Sequence, residues 1–342
     1  MSRGRRLSSR PCAVLAMSPA LTGSLITPAH RTRLHELCSV PDAEPLARFD
    51  DPRAGALLAD AEILLTAWGC PSLDAELLKR APRLRAIMHA AGTVKNHITE
   101  AVFERGIRVS SAAAANAQPV AEYALAAILF ANKRVFQLQR RYREVRGFRF
   151  WSQEAPGLGN LGKRVGIVGL SRIGSRVARL LEPFDLEVAA HDPTLSDEAI
   201  AERGLLPLGL DELLASSDVV SLHAPLLPAT KGLLDARRLA LLRDGSTLIN
   251  TARGGLVDPQ ALLAELVSGR IFAVLDTTEP EVLPADSPLY DLPNLFLTPH
   301  IAGSQGRETE RMVDLALDEI ERFARGETLA HEVREGDWST IA

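Results

Sequence analysis

Short apolar runs alternate with stretches of helical spacing along most of the chain. In the first third, residues 13–17, 61–66, 84–88 and 107–110 read as buried strands. Helical segments such as 72–80 lie between them, with Ser72 as a candidate cap. Pro119 suits the first turn of a long helix near 119–138, because its missing N–H would have no helical partner there. A glycine-rich link follows at 156–162, and the rhythm then restarts with strands predicted at 164–168, 187–191, 218–222, 246–250, 271–275 and 295–297. Strands that alternate with helices in this way predict an α/β protein with parallel sheets. The six later strands fit a doubly wound, Rossmann-type dinucleotide fold. A last helix, about 306–325, is expected to return to the first lobe. The expected domains are therefore 119–303, the dinucleotide domain, and a discontinuous substrate domain of 11–118 with 304–342, preceded by a disordered basic tail, 1–10.

Composition narrows the function. The chain has 342 residues, 46% of them hydrophobic, which suits two domains better than one. The net charge of −4 and the 5% aromatic content give no sign of a nucleic-acid surface. Arg3, Arg5, Arg6 and Arg10 precede an apolar run, 12–17, in an order that imitates a secretory signal. The run is short and ends at Ser18-Pro19, so a tail followed by a first strand is the preferred reading. No stretch reaches the roughly 18 apolar residues of a membrane span. Cys12, Cys38 and Cys70 are odd in number and lack metal-ligand spacing, so they read as reduced thiols, and no metal is expected. The expected location is the cytoplasm.

The strand at 164–168 runs into Gly169-Leu-Ser171-Arg172-Ile173-Gly174 and a helix, 175–181. Strand, glycine turn and helix in that order form the context a dinucleotide site needs. Gly169 permits the tight turn, and Gly174 permits close packing of helix on strand. The helix N-terminus offers free N–H groups and its positive dipole end to a pyrophosphate. Ser171 replaces the middle glycine; its Cβ should push the phosphates away slightly, while its hydroxyl is a possible donor. Asp192 follows the second strand, 23 residues after Gly169, at the spacing where a carboxylate meets ribose hydroxyls. A carboxylate there repels a 2′-phosphate, which favours NAD over NADP.

Three later segments bring unusual polar residues to strand ends, where open α/β sheets bind ligands. They are Asn-Thr251-Ala252-Arg253-Gly-Gly, Asp276-Thr-Thr-Glu279-Pro-Glu281 and Thr-Pro-His300-Ile-Ala-Gly303. An imidazolium can supply a proton near neutral pH, a carboxylate can orient it, and an arginine can hold a substrate carboxylate. Glu279 and Glu281 are both available as the acid. His223-Ala224-Pro225 ends a further strand, and His223 reads as structural or cofactor-contacting.

Together with the glycine turn, these segments closely resemble the D-isomer-specific 2-hydroxyacid dehydrogenase family, from about residue 84 to about 325. The resemblance implies a flavodoxin-like substrate lobe beside a Rossmann lobe, bound NAD and a homodimer. It implies interconversion of a 2-oxo acid and a D-2-hydroxy acid, with members such as glyoxylate, hydroxypyruvate and phosphoglycerate enzymes in view. The family's arginine falls on Arg253 and its histidine on His300, and its acid, five residues after Asp276, falls on Glu281. Val282 stands where the family usually has proline. The resemblance also makes the amides of Gly92, Thr93 and Val94 holders of the substrate carboxylate, and Gly92 supplies the bare backbone an anion nest needs. The loop lacks the acidic residues common in the family. The other readings are phosphoglycerate oxidation and an NAD-sensing, corepressor-like protein without catalysis; the complete Arg253, Glu281 and His300 set argues against the latter.

Overall fold

The computed structural model describes residues 10–155, 157–338 and 341. The expected tail, 1–10, lies outside the described residues apart from Arg10, as does Pro156 of the glycine-rich link. The chain divides into two compact units, Met1–Asn116 with Ser304–Ala342, and Ala117–Gly303. Twelve strands occur among the described residues: β1 (Ala13–Ala16), β2 (Ile63–Thr66), β3 (Ala86–His89), β4 (Arg108–Ser111), β5 (Lys163–Val168), β6 (Leu186–His191), β7 (Leu206–Pro207), β8 (Val219–Leu222), β9 (Thr247–Asn250), β10 (Phe272–Leu275), β11 (Leu295–Leu297) and β12 (Glu332–Val333). Among the described residues no helix is long and apolar enough to cross a membrane.

In the first unit the sheet order is β1-β2-β3-β4-β12, with β12 antiparallel to β4 and the other pairs parallel. Outside β1, Ser39 and Leu46 pair with Cys12 and Ala16 through isolated bridges. With that segment taken as the second strand in chain order, the arrangement is the flavodoxin-like 2-1-3-4-5. Alternate strand residues feed two cores, because side chains point to opposite faces. Leu15, Leu65 and Met88 pack with Val313, Leu317 and Ile320 of the helix Glu308–Ala324. Val14, Leu64 and Ile87 pack with Leu58, Leu77 and Val102 on the other face.

In the second unit all strands are parallel, in the order β11-β10-β9-β8-β5-β6-β7. Read from β7, this is the Rossmann order 3-2-1-4-5-6 with β11 added at the far edge, and its switch point lies between β5 and β8. Leu213, Leu222 and Leu248 pack on one face, and Ile128, Ile167, Val177 and Ile249 on the other. Gly166, in the middle of β5, lets the helix Leu210–Ser216 lie directly on the strand. A Cβ there would sit 2.4 Å from Leu213 Cδ2 and 2.6 Å from Ser217 Oγ.

Three expectations about elements need correction. The helix predicted at 119–138 spans Ala113–Asn132, with Pro119 inside it. Its alanine run, among the best helix formers, carries the helix back to the Ala112 carbonyl, which accepts from the Ala115 and Asn116 amides. The far end stops early because Arg134 takes a left-handed conformation, φ 49°, after which a separate helix covers Val135–Val145. The helix predicted at 72–80 begins at Ala75, capped by Asp74, whose carboxylate accepts from the Leu77 amide at 2.8 Å, and not by Ser72. Two short strands, β7 and β12, were not predicted; each is only two residues long.

The helix-on-strand contact at Gly166 has a measurable consequence. Gly166→Ala should lower stability by about 1–3 kcal/mol, the usual penalty for overpacking, read from the urea midpoint. An unchanged midpoint would mean that the helix can shift off β5 freely.

Candidate active site

At the switch point of the second unit, β5 ends in a turn that tolerates little besides glycine at two positions. Gly169 has φ +91°, and a Cβ there would lie 2.7 Å from the Ala224 nitrogen. A Cβ on Gly174 would lie 2.0 Å from the Gly169 carbonyl oxygen. These contacts seat the helix Arg172–Leu181 against the strand, with the exposed Arg172 and the half-buried Ile173 in its first turn. Ser171 occupies the N-cap without a side-chain capping bond. Its hydroxyl donates instead to the His223 carbonyl at 2.9 Å, so the donor that the sequence reading offered to a phosphate is engaged within the protein. Asp192, just past β6, accepts from the Leu170 amide at 2.7 Å and from the amide and hydroxyl of Thr194 at 2.9 and 2.6 Å. It therefore braces the turn from the position expected of a ribose ligand, and a carboxylate offers about four acceptor sites in all.

His223 lies buried under this turn. Its Nε2 meets Ser221 Oγ at 2.9 Å, Nδ1 has no partner, and burial pushes its pKa down to about 4. Ala224 and Pro225 follow, Ala224 being the backbone that Gly169 approaches. At the end of β9, Thr251 is buried with an unpartnered hydroxyl, and Thr277 after β10 is similar. Bare glycine backbone, a helix N-terminus, Asp192 and these unpartnered buried atoms fit a bound dinucleotide. Among the described residues no group of three or more His, Cys, Asp or Glu is placed to hold a metal ion.

The loop after β9 presents Arg253. Asn250 shapes it, donating to the Arg253 carbonyl at 2.8 Å and accepting from the Ala252 amide at 3.1 Å. Arg253 Nη1 donates to the Ala252 carbonyl at 2.7 Å. Burial pulls its guanidinium below the ordinary arginine pKa, and the nearby Glu281 carboxylate opposes that shift. Gly254 brings this loop onto the acid loop after β10: a Cβ would lie 2.0 Å from the Thr278 carbonyl carbon. Thr278 Oγ1 donates to the Pro280 carbonyl at 2.7 Å and also meets that of Glu281.

His300 and Glu281 come together. Glu281 Oε1 lies on His300 Nδ1 in a short contact, and both side chains are about half exposed. Glu279, the other available acid, lies toward Gly255, where an added Cβ would be 3.4 Å from its Oε2. His300 has φ 55°, a left-handed conformation that costs a non-glycine residue roughly 1–2 kcal/mol. Such strain persists where neighbouring bonds over-determine it. Here the His300 amide donates to the Asp276 carbonyl at 2.9 Å, and the Ile301 and Ala302 amides donate to the Asp276 carboxylate at 2.8 Å each, just before Gly303. Asp276, expected among the cofactor contacts, thus uses its carboxylate on the histidine loop.

In the first unit, Gly92, Thr93 and Val94 follow β3. A Cβ on Gly92 would lie 3.3 Å from Asn116 Nδ2. The Val94 carbonyl accepts from the His97 and Ile98 amides, and Thr93 Oγ1 from the Lys95 amide. Below the loop, His89 bonds Thr66 Oγ1 at 2.9 Å, and its ring lies 4.4 Å from that of His97. Burial holds His89 well below the usual histidine range and His97 down to about 4.

Sequence reasoning overlooked Asn250, Thr278 and Thr298, which shape the loops without carrying the expected chemistry. Asn250, in the residue before Thr251, was within reach, since a short amide at a strand end commonly bonds the turn that follows.

A doubly wound sheet with such a turn at its switch point defines a dinucleotide-binding protein. The family description "D-isomer specific 2-hydroxyacid dehydrogenase, NAD binding domain" matches residues 125–302. The chain is 35% identical over 294 residues to D-3-phosphoglycerate dehydrogenase of Mycobacterium bovis, covering 84% of this chain and 54% of that protein. It therefore spans about half the length of the phosphoglycerate dehydrogenases it matches. It is 35% identical over 309 residues to (S)-sulfolactate dehydrogenase of Chromohalobacter salexigens, covering 90% of this chain and 98% of that one. D-lactate dehydrogenase of Aquifex aeolicus, solved with NAD and lactic acid, superposes with a TM-score of 0.71 at 27% identity, covering 92% of this chain and 96% of that chain. The chain belongs to the D-isomer specific 2-hydroxyacid dehydrogenase family, and its second unit carries that family's NAD-binding domain.

The buried histidines tie stability to pH. His97 and His223 both titrate near 4 when folded, against 6.5 ordinarily. Below 6.5 the unfolded chain binds protons that the folded chain refuses, so stability is full above 6.5 and falls as pH drops toward 4. At pH 5 the loss should be about 2 kcal/mol per histidine. Urea unfolding at pH 7.5 and 5.0 measures it, and His97→Gln should flatten the dependence. Equal stability at both pH values would contradict it.

Proposed function

We propose that the protein is an NAD-dependent oxidoreductase that interconverts a 2-oxo acid and a D-2-hydroxy acid. The observation that carries this reading is the contact of His300 Nδ1 with Glu281 at the strand ends that also present Arg253. Bound NADH supplies the hydride that C2 of the 2-oxo acid receives. His300 gives the proton from Nε2 to the carbonyl oxygen, yielding the hydroxyl, and in the oxidation direction neutral His300 takes that proton back. Glu281 holds Nδ1 and orients the ring. Arg253 grips the substrate carboxylate and polarises the carbonyl with fixed donors. Gly92, Thr93 and Val94 supply amides to the same carboxylate. Gly169, Ser171, Arg172, Ile173, Gly174, Asp192, His223, Ala224, Pro225, Thr251, Ala252, Asp276 and Gly303 serve the cofactor. Two of the relatives act, by name, on acids with a second anionic group, so phosphohydroxypyruvate and sulfopyruvate belong in the substrate panel beside glyoxylate, hydroxypyruvate and pyruvate. The cytoplasm suits three cysteines that form no disulfide.

The panel is run with NADH, following its absorbance. His300→Ala should lower kcat about 100-fold or more, the usual contribution of a positioned acid–base group, while NADH affinity stays within a few-fold. Glu281→Gln should lower kcat less. Absence of turnover with every 2-oxo acid, although NADH binds, would refute the reductase reading.

The same reading includes a homodimer. The helix Val135–Val145 buries none of its residues and touches β11 through Phe136 stacked on Phe296; a groove of about 950 Å³ beside them is lined by Phe136, Leu292, Leu295 and Phe296 and by the charged Arg140, Arg143 and Glu144. Phe148 and Phe150, just beyond the helix, are exposed. A second copy covering this face would remove an apolar patch from water, as twofold interfaces do. Light scattering should give twice the mass of 37.0 kDa for the wild type and a monomer for the Phe148→Asp, Phe150→Asp double variant. A monomeric wild type would remove the dimer from the reading.

A further inference from the structure

A second chain of hydrogen bonds reaches His300 from a helix that none of the proposed chemistry uses. Tyr123, on the helix Ala113–Asn132, places its hydroxyl 2.7 Å from Thr298 Oγ1. Thr298 Oγ1 lies 2.6 Å from Asp276 Oδ1. A carboxylate only accepts, so Thr298 is the donor to Asp276 and its one hydroxyl hydrogen is used there. Tyr123 must then donate to Thr298. Burial raises the Tyr123 pKa, the bond with Thr298 opposes that and the Asp276 charge adds to it; the net rise keeps the phenol protonated and able to donate. The relay therefore runs in one direction, from Tyr123 through Thr298 to Asp276.

We propose that Tyr123 is a positioning residue for His300, acting through Thr298 and Asp276. The inference rests on the role given to His300 above. Asp276 is buried, and its two carboxylate oxygens hold two consecutive amides, those of Ile301 and Ala302. That grip keeps His300 in its left-handed conformation, with Nδ1 on Glu281. The hydroxyl of Thr298 fixes the plane of the carboxylate, and Tyr123 fixes the hydroxyl. Without the relay the carboxylate is free to turn about its last torsion and release one amide. The histidine loop then relaxes and the imidazole leaves Glu281. Charged groups in this ensemble include Glu281 on the ring, Asp276 beneath the loop and Arg253 beside Glu281.

The test uses Tyr123→Phe, Thr298→Val and Thr298→Ser in the full chain. Thr298→Val should lower kcat about tenfold, the rate equivalent of one hydrogen bond, with KM for the 2-oxo acid and NADH affinity within about twofold. Thr298→Ser keeps the hydroxyl and should restore kcat. Tyr123→Phe should fall between the two, and the Tyr123→Phe, Thr298→Val double variant should be no worse than Thr298→Val, because both act on one relay. A second readout needs no turnover. With histidine labelled for NMR and its signal assigned through His300→Gln, the His300 ring signals at one fixed pH should move in Tyr123→Phe and Thr298→Val toward their position in Glu281→Gln, and stay at the wild-type position in Thr298→Ser. Unchanged His300 ring signals in both Tyr123→Phe and Thr298→Val overturn the proposal, whatever the activity. If the signals move as stated but the wild type reduces no 2-oxo acid, the relay stands and the reductase reading falls.

Discussion

The candidate site depends on one buried carboxylate. Asp276 stands at the end of β10 and accepts from Thr298, Ile301 and Ala302. A carboxylate taken out of water needs such partners, because charge-assisted bonds offset the loss of hydration. The donors come from the chain beyond β11, so a loop that is distant in sequence is folded around the end of the neighbouring strand. Parallel pairing of β10 and β11 brings the two ends side by side. The same residue begins the acid loop that leads to Glu281. One anchored group thus fixes both halves of the His300–Glu281 pair.

The cofactor turn relies on a different kind of constraint. It is held by close packing of backbone on backbone, at distances where a Cβ has no room. Two positions must be glycine for that reason, and the third is relieved of it. Ser171 fits because its side chain turns back to the His223 carbonyl. His223 in turn stays neutral, since burial disfavours its charged form and Ser221 occupies one nitrogen. The imidazole beneath the turn thus adds no charge to the helix end, whose dipole favours an anion.

Much of this was legible in the residues, and the reasons differ by feature. The strands of both sheets were legible because parallel strands buried on two faces read as apolar runs. Gly169, Gly174 and Asp192 were legible because their spacing follows from the geometry of one strand, one turn and the next strand. His300 and Arg253 stood out as charged residues at strand ends. Glu281 was separable from Glu279 only by its offset from Asp276. The start of the helix was misplaced at Pro119 because proline signals a helix start more strongly than the alanines at 113–115 signal a continuation. β7 was missed because a two-residue strand ending in Pro207 has no pattern to detect. Tyr123 was invisible for a deeper reason. Its contact with Thr298 spans 175 residues of chain, and no local pattern encodes a bond whose partners meet only when the sheet is complete.

Gly254 carries a consequence for how such a site can change. Its backbone lies so close to the Thr278 carbonyl that the arginine loop and the acid loop cannot slide past one another. On the proposed reading, anion holder and proton handler are in effect a single machined part. A substitution that widened the space at Arg253 would drag Glu281 out of register with His300. Substrate range in such a protein is therefore adjustable only through residues outside this block, and drift that preserves the chemistry will accumulate there first.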